Sequence, residues 1–249
     1  MGGELQMGLF DKIAGAFEKK QCDICGGEIG MLGNKKLENG NCCKECVKKL
    51  SPWFTDRKHS TVEEIREQID YREQNRKELE NFHETVSFGE DSSLFLIDQQ
   101  NRRFVVLPRK NCDLYAENPD IIGFDQVREM KLDISYSSTE EKMMKDGQRV
   151  SYHPPRYEHT FYFYVKIVTD HPYAHEHRCQ LNARSLKVHT AGPKMDRSYR
   201  LDALEDLSRF LDYYPPLNYR DRVQVDREMD DCYYFAHMGD EICRTIMRG

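Results

Sequence analysis

Residues 21–50 read QCDICGGEIGMLGNKKLENGNCCKECVKKL, and five of the nine cysteines in the chain lie between Cys22 and Cys46. Cys22-x-x-Cys25 and Cys43-x-x-Cys46 form two pairs separated by 17 residues. That spacing falls within the C-x₂-C-x₁₅₋₂₀-C-x₂-C pattern of a structural metal site. Two cysteines three apart on a tight turn can face one ion, and two such turns complete a tetrahedron of thiolates. Gly26 and Gly27 follow the first pair, where the turn needs permissive backbone. Asn39-Gly40-Asn41 precedes the second pair and reads as a hairpin turn. Cys42 competes with Cys43, but C-x₃-C is the less usual spacing, so Cys22, Cys25, Cys43 and Cys46 are the expected ligands. They would hold one structural Zn²⁺ per chain in a zinc-ribbon-like module with no open coordination position.

The rest of the composition sets limits. The chain has 249 residues, a net charge of -6, 39% hydrophobic and 32% charged residues. This is room for one ordinary domain plus a small module, with much solvated surface. The negative balance argues against nucleic-acid binding by the whole molecule. Within residues 1–60 the basic side chains exceed the acidic by two. A divalent ion with four thiolates cancels that excess, so Lys35, Lys36, Lys44, Lys48 and Lys49 balance the cluster and make no phosphate-binding face. An odd cysteine count arranged in C-x-x-C pairs suits a reducing cytoplasm. No basic start leads into a secretory apolar run, and no stretch approaches the roughly 20 apolar residues of a membrane span.

Upstream of the cysteines, residues 7–20 place Leu9, Phe10, Ile13, Ala14 and Phe17 on one helical face. This predicts a short amphipathic helix that packs on the module or a partner, or rests on a membrane surface. Met7 can serve as an initiator in its own right, which sets residues 1–6 apart. Downstream, Trp53 is expected to be buried against the module. Ser60 with Glu63 and Thr61 with Glu64 both fit a capping box, opening a helix over about 61–82 with a polar middle.

From about residue 92 the pattern turns to strands. Leu94–Asp98 and Phe104–Leu107 flank a polar turn and make a hairpin. Val127 to Ile134 alternates as a half-buried strand. Residues 137–157 are polar, carry Gly147 and Pro154-Pro155, and read as a long hairpin loop. Residues 159–170 form the strongest strand, and two further candidates follow over 175–182 and 185–190. Leu201, Leu204, Leu207, Leu211 and Tyr214 share a helical face that ends before Pro215-Pro216. Phe235, Met238, Ile242 and Ile246 suit a docking helix in a charged tail. The expected fold is therefore α+β: an amphipathic helix (1–20), zinc-ribbon-like module (21–58), linking helix (59–90), mainly antiparallel β-domain closed by an amphipathic helix (91–216), and tail (217–249).

The motif C-x-x-C-G…L-x-N-G-x-x-C-x-x-C…K-K-L-S-x-W-F, with the T-V-x-E-I helix after it, resembles a bacterial family of domains of unknown function. Its members open with a four-cysteine zinc-ribbon-like module and sometimes sit beside SHOCT domains. The resemblance covers about the first fifth of the chain and implies metal ligands at Cys22, Cys25, Cys43 and Cys46. Cys42 stands where an apolar residue is usual. The later strand order is similar in layout to bacterial pleckstrin-homology-like domains, where Arg102 and Arg103 in a hairpin turn would face an anionic headgroup. The resemblance implies no enzyme activity.

Other constellations are weaker. His175, His177 and Cys179 alternate on one strand with His171 nearby, and His153, His159 and His189 widen the pool for a second metal. A half-buried strand explains the alternation as well. Cys112, Cys232 and Cys243 read as small core residues. The chain lacks G-x-S-x-G, G-x-x-x-x-G-K-[ST], G-x-G-x-x-G and H-E-x-x-H. The expectation is a cytoplasmic, non-enzymatic adaptor acting on a protein partner or peripherally at a membrane through residues 7–20. The alternatives are a nucleic-acid-binding ribbon protein, or an enzyme with a site near His175 and His177.

Overall fold

A computed structural model describes residues 20–30, 32–89, 92–109, 111–192, 201, 203–214, 217 and 222–248, with side chains of the last segment from Arg227. The amphipathic stripe expected over residues 7–20 lies outside the described residues. The chain is an α+β mixture in two compact units, residues 1–78 and 79–249.

The first unit is made of short elements. Strands β1 (Lys20–Gln21) and β2 (Glu28–Ile29) pair antiparallel, as do β3 (Lys35–Lys36) and β4 (Asn41–Cys42). The single-turn helix α1 (Lys44–Val47) follows, then α2 (Val62–Leu79). Thr61 and Glu64 close the capping box that starts α2: the Glu64 amide donates to Thr61 Oγ1, and the Thr61 amide to Glu64 Oε2. Ser60 takes a different partner, the Asp56 carbonyl. Val62 and Ile65 enter a core with Ile29, Leu37, Leu50 and three of the cysteines, and Phe54 packs against it. Trp53, expected in that position, is only half-buried. Further along α2 the buried positions are polar: Gln68, Arg72 and Asn75 continue the stripe at helical spacing.

The second unit holds two antiparallel sheets. Strands β5 (Val86–Phe88), β6 (Leu94–Asp98), β7 (Arg103–Leu107) and β8 (Ile122–Gly123) follow one another in chain order, with the short helix α3 (Leu114–Glu117) between the last two. Val86–Phe88 was expected to belong to a linking helix. Instead it pairs with Phe95–Ile97, giving β6 a partner on each side. Leu96, Val105 and Leu107 bury against Leu79, Phe82 and Ile121.

The second sheet is organised by β10 (Gln148–Thr169). Along one edge it pairs with β9 (Val127–Lys145); along the other, with β12 (Leu186–Ala191) and then β11 (Glu176–Gln180). Tyr157, His159, Phe161, Phe163, Val165, Ile167 and Thr169 alternate as buried residues, the signature of a strand with one dry face. Helices α4 (Leu204–Tyr213) and α5 (Arg222–Arg248) cover the sheet. Phe210 of α4 meets Tyr136, His159 and Phe161 edge-on, and Phe235 of α5 stacks on Phe163. Leu201 forms a bridge to Ile134 ahead of α4, so it is not part of that helix. Gly239 lets α5 approach closely, since a Cβ there would lie 2.7 Å from Leu132 Cδ1.

Two expectations change. Residues 137–157 are not a loop, because β9 and β10 stay paired to a two-residue turn at Asp146-Gly147. Both turn residues have positive φ, 50° and 77°, as a type I′ hairpin turn requires. Val127 to Ile134 is not strictly alternating either. Glu129 faces Val168 while Val127 faces Thr169, so Arg128 is bulged out and the buried positions jump from Val127 to Met130.

Asp98 fixes the β6–β7 turn from a fully buried position. It accepts from the Asn101 amide and Nδ2, from Arg103 Nε at 3.0 Å and from the His83 amide. Burial opposes its ionisation, but these donors prevail and hold the carboxyl down at about 2. Arg103 also donates to the Asn81 carbonyl and lies over Phe82, and Arg102 lies over Phe124. Asp98→Asn should therefore cost about 2 kcal/mol in denaturant unfolding. The wild-type share of that stability is present above about pH 4 and lost as pH falls toward 2.

His159 is also fully buried, between Ser138 Oγ at 2.7 Å and Thr190 Oγ1 at 2.6 Å. Burial, and then the charge of His189, depress it to about 4. The unfolded chain binds this proton from about pH 6.5 downward while the folded chain does not, so stability falls over pH 6.5 to 4. The full effect is roughly 3 kcal/mol. Thermal melts of wild type across this range should show the decline, and His159→Asn should flatten it.

Candidate metal centre

Each cysteine pair is placed by its own turn. In the first, the Gly26 amide donates to the Cys22 carbonyl and the Cys22 amide to the Gly27 carbonyl. Gly26 sits at φ +72°, a conformation that strains any residue with a Cβ. In the second, Cys43 is the N-cap of α1, and its sulfur accepts from the Cys46 amide at 3.4 Å. Cys22 Sγ accepts from the Cys43 amide at 3.2 Å, which ties one turn to the other.

The result is four sulfurs in one place. Cys22 Sγ and Cys46 Sγ are 3.8 Å apart, as are Cys25 Sγ and Cys43 Sγ. All four lie within 4.8 Å of one another, an arrangement that could hold a metal ion. The spacing is far wider than the roughly 2 Å of a disulfide. Cys22 and Cys46 are buried, and Cys25 is exposed. Burial pushes the Cys22 thiol up, but backbone amides of Cys25, Cys43 and Ile24 outweigh it and bring the group down to about 6. Cys42 is separate. Its sulfur turns to the Cys43 carbonyl within the core, and burial with the neighbouring Cys22 and Cys43 pushes it up to about 12.

Residues around the cluster lock the two turns together, and these were not singled out from the sequence. The Asp23 amide donates to the Asn41 carbonyl at 2.9 Å, and the Asn41 amide returns the bond to Asp23 Oδ2 at 2.6 Å. Asn34 Nδ2 adds a bond to Asn41 Oδ1. Arg66 reaches from α2 to the Asp23 carbonyl, and Asn39 Oδ1 accepts from the Val62 amide. The Asn39-Gly40-Asn41 run was the available signal, yet it announced only a turn.

Among the described residues, no other group of His, Cys, Asp or Glu gathers in this way. His171 is buried, and its Nδ1 accepts from the Tyr173 amide. Cys179 is a core residue on β11 opposite Val165, with its thiol pushed up by burial. His177 is lowered by burial, and His153 is exposed. His189 lies 3.4 Å from Glu141 and Glu158 and 3.6 Å from Glu228, joining β9, β10, β12 and α5.

With this geometry in view, the family comparison is specific. Residues 20–68 match the model of a family described as a domain of unknown function (DUF4428). The match spans both turns, all four gathered cysteines and the start of α2. It agrees with the resemblance carried by the cysteine motif and ends before the β-rich unit. No curated protein and no solved structure matches the chain; the pleckstrin-like comparison rests on element order alone.

Gly40 offers a test of how tightly this module is packed. A Cβ there would lie 2.5 Å from Val62 Cγ2 and 2.8 Å from Asp23 Oδ2. Gly40→Ala should cost about 1–3 kcal/mol in unfolding of the module. In protein loaded with zinc, it should also speed loss of the ion to a chelator.

Proposed function

We propose that this chain is a non-enzymatic zinc-binding adaptor, in which the zinc is structural and the output is association with a protein partner or the surface of a membrane. The supporting observation is the sulfur spacing. A tetrahedral ion with zinc–sulfur bonds of about 2.3 Å separates its ligands by about 3.8 Å, the distance found between Cys22 and Cys46 and between Cys25 and Cys43, with all four sulfurs within 4.8 Å. Four protein ligands leave no open position for a substrate or a reactive water, as in structural sites. The amide aimed at Cys22 favours its thiolate over the thiol, which is what a cation needs.

The adaptor role follows from what this arrangement is good for. A metal-stapled module of this size gains rigidity out of proportion to its small core, and a rigid surface binds at lower entropic cost. Among the described residues no helix is long and apolar enough to cross a membrane. A membrane contact would accordingly be peripheral.

Metal analysis of the purified full chain tests the reading. One zinc per chain is expected. Cys43→Ser should lose it and Cys42→Ser should keep it. A metal-free folded protein, or the reverse response of the two variants, overturns the assignment.

A further inference from the structure

The far end of the β9–β10 pair is unlike the rest of the second unit. β12 stops pairing at Ala191 opposite Arg156, and beyond that point only β9 and β10 continue. The register is interrupted there, because Ser151 faces Lys142 while Arg156 faces Glu141. Tyr152 to Pro155 are thus extra residues on β10, an irregularity that bends a ribbon away from its sheet. Past it, Lys142–Met144 and Lys145 pair with Ser151–Arg149 and Gln148 around the Asp146-Gly147 turn. Residues 142–149 are all exposed. This is a two-stranded arm about 15 Å long.

The chemistry of the arm is not that of an inert loop. Met144 is 66% exposed and Met143 37%. Successive strand residues face opposite sides, so one side of the tip presents Lys142, Met144 and Arg149, an apolar centre between two cations. The other presents Met143, Val150 and Lys145. The only acid between 142 and 151 is Asp146, and among the described residues no ion pair occupies Lys142, Lys145 or Arg149. A cationic tip on a chain of net charge -6 is a local feature. At physiological salt, fields fade over about 8 Å, so an arm of this length carries a potential set by its own residues.

We infer that the tip of the β9–β10 arm is a docking surface for an anionic lipid membrane. The lysines and arginine meet the headgroups, and Met143 and Met144 enter the boundary with the acyl chains. A nucleic-acid groove would use the cations but gain little from methionines at the apex, and it would call for a broader basic face. The inference deepens the membrane side of the proposed function and moves the contact from residues 7–20 to this arm. It does not depend on the metal.

The test is co-sedimentation of the full chain with vesicles of phosphatidylcholine, with and without phosphatidylserine. Binding should require phosphatidylserine and weaken with salt. The Lys142→Gln, Lys145→Gln, Arg149→Gln triple variant should lose about 100-fold in affinity, from roughly tenfold or less for each cation near the surface. Met143→Ser with Met144→Ser should weaken binding several-fold while keeping its salt dependence. Phe10→Glu with Phe17→Glu should leave it largely intact. Zinc content, read on the same samples, separates failure of this inference from failure of the zinc assignment. Failure to bind phosphatidylserine vesicles, loss confined to the Phe10/Phe17 variant, or preference for duplex DNA over vesicles would each overturn the inference.

Discussion

Four sulfurs gathered within 4.8 Å set the terms for the first unit. Charges at that separation repel, and only a cation or protonation relieves them. Backbone amides point at two of the sulfurs, in a cluster that could hold a metal ion. The strands here are two residues long and the core has few members. Such a module lies below the size at which apolar burial alone holds a fold. Asp23 and Asn41 bind the turns to each other, and Arg66 and Asn39 bind them to α2. The cluster and these polar clasps form one cooperative piece.

The second unit rests on a different principle. Its order comes from pairing and apolar alternation, with β10 engaging three strands and two helices covering the sheet. Among the described residues, three polar groups that enter this core are well partnered. Asp98 takes four donors, His159 two hydroxyls, and the Asn182 amide bonds the backbone of Phe161, Phe163 and Arg184. Such groups define a unique packing because leaving any of them unpaired is costly.

How much of this was legible in the sequence differs by region for physical reasons. The cysteine spacing, the Thr61–Glu64 box and the strands near residues 94–107 and 159–170 are short-range patterns, and they read directly. Of the doublet, Cys43 lies in the cluster and Cys42 is not among the four gathered cysteines. The Asp23–Asn41 exchange joins residues from separate turns and leaves no local mark. The arm was hidden for another reason. A ribbon exposed on both sides has no apolar alternation, so its polar residues resembled a loop, and Asp146-Gly147 was the one sign of a turn. At Arg128 a bulge broke the alternation that a regular strand would keep. Val86–Phe88 is too short to signal itself and exists because β6 offers it an edge.

The two irregularities in the β9–β10 ladder carry a consequence for fidelity of assembly. A long, regular ribbon can slide by a residue, and each such slip exchanges its dry and wet sides. Here the paired stretch is bracketed by the displaced Arg128 at one end and by Tyr152–Pro155 at the other. Sliding would carry both kinks into partners that cannot accommodate them. They act as end-stops, so the central strand of this sheet has one alignment open to it.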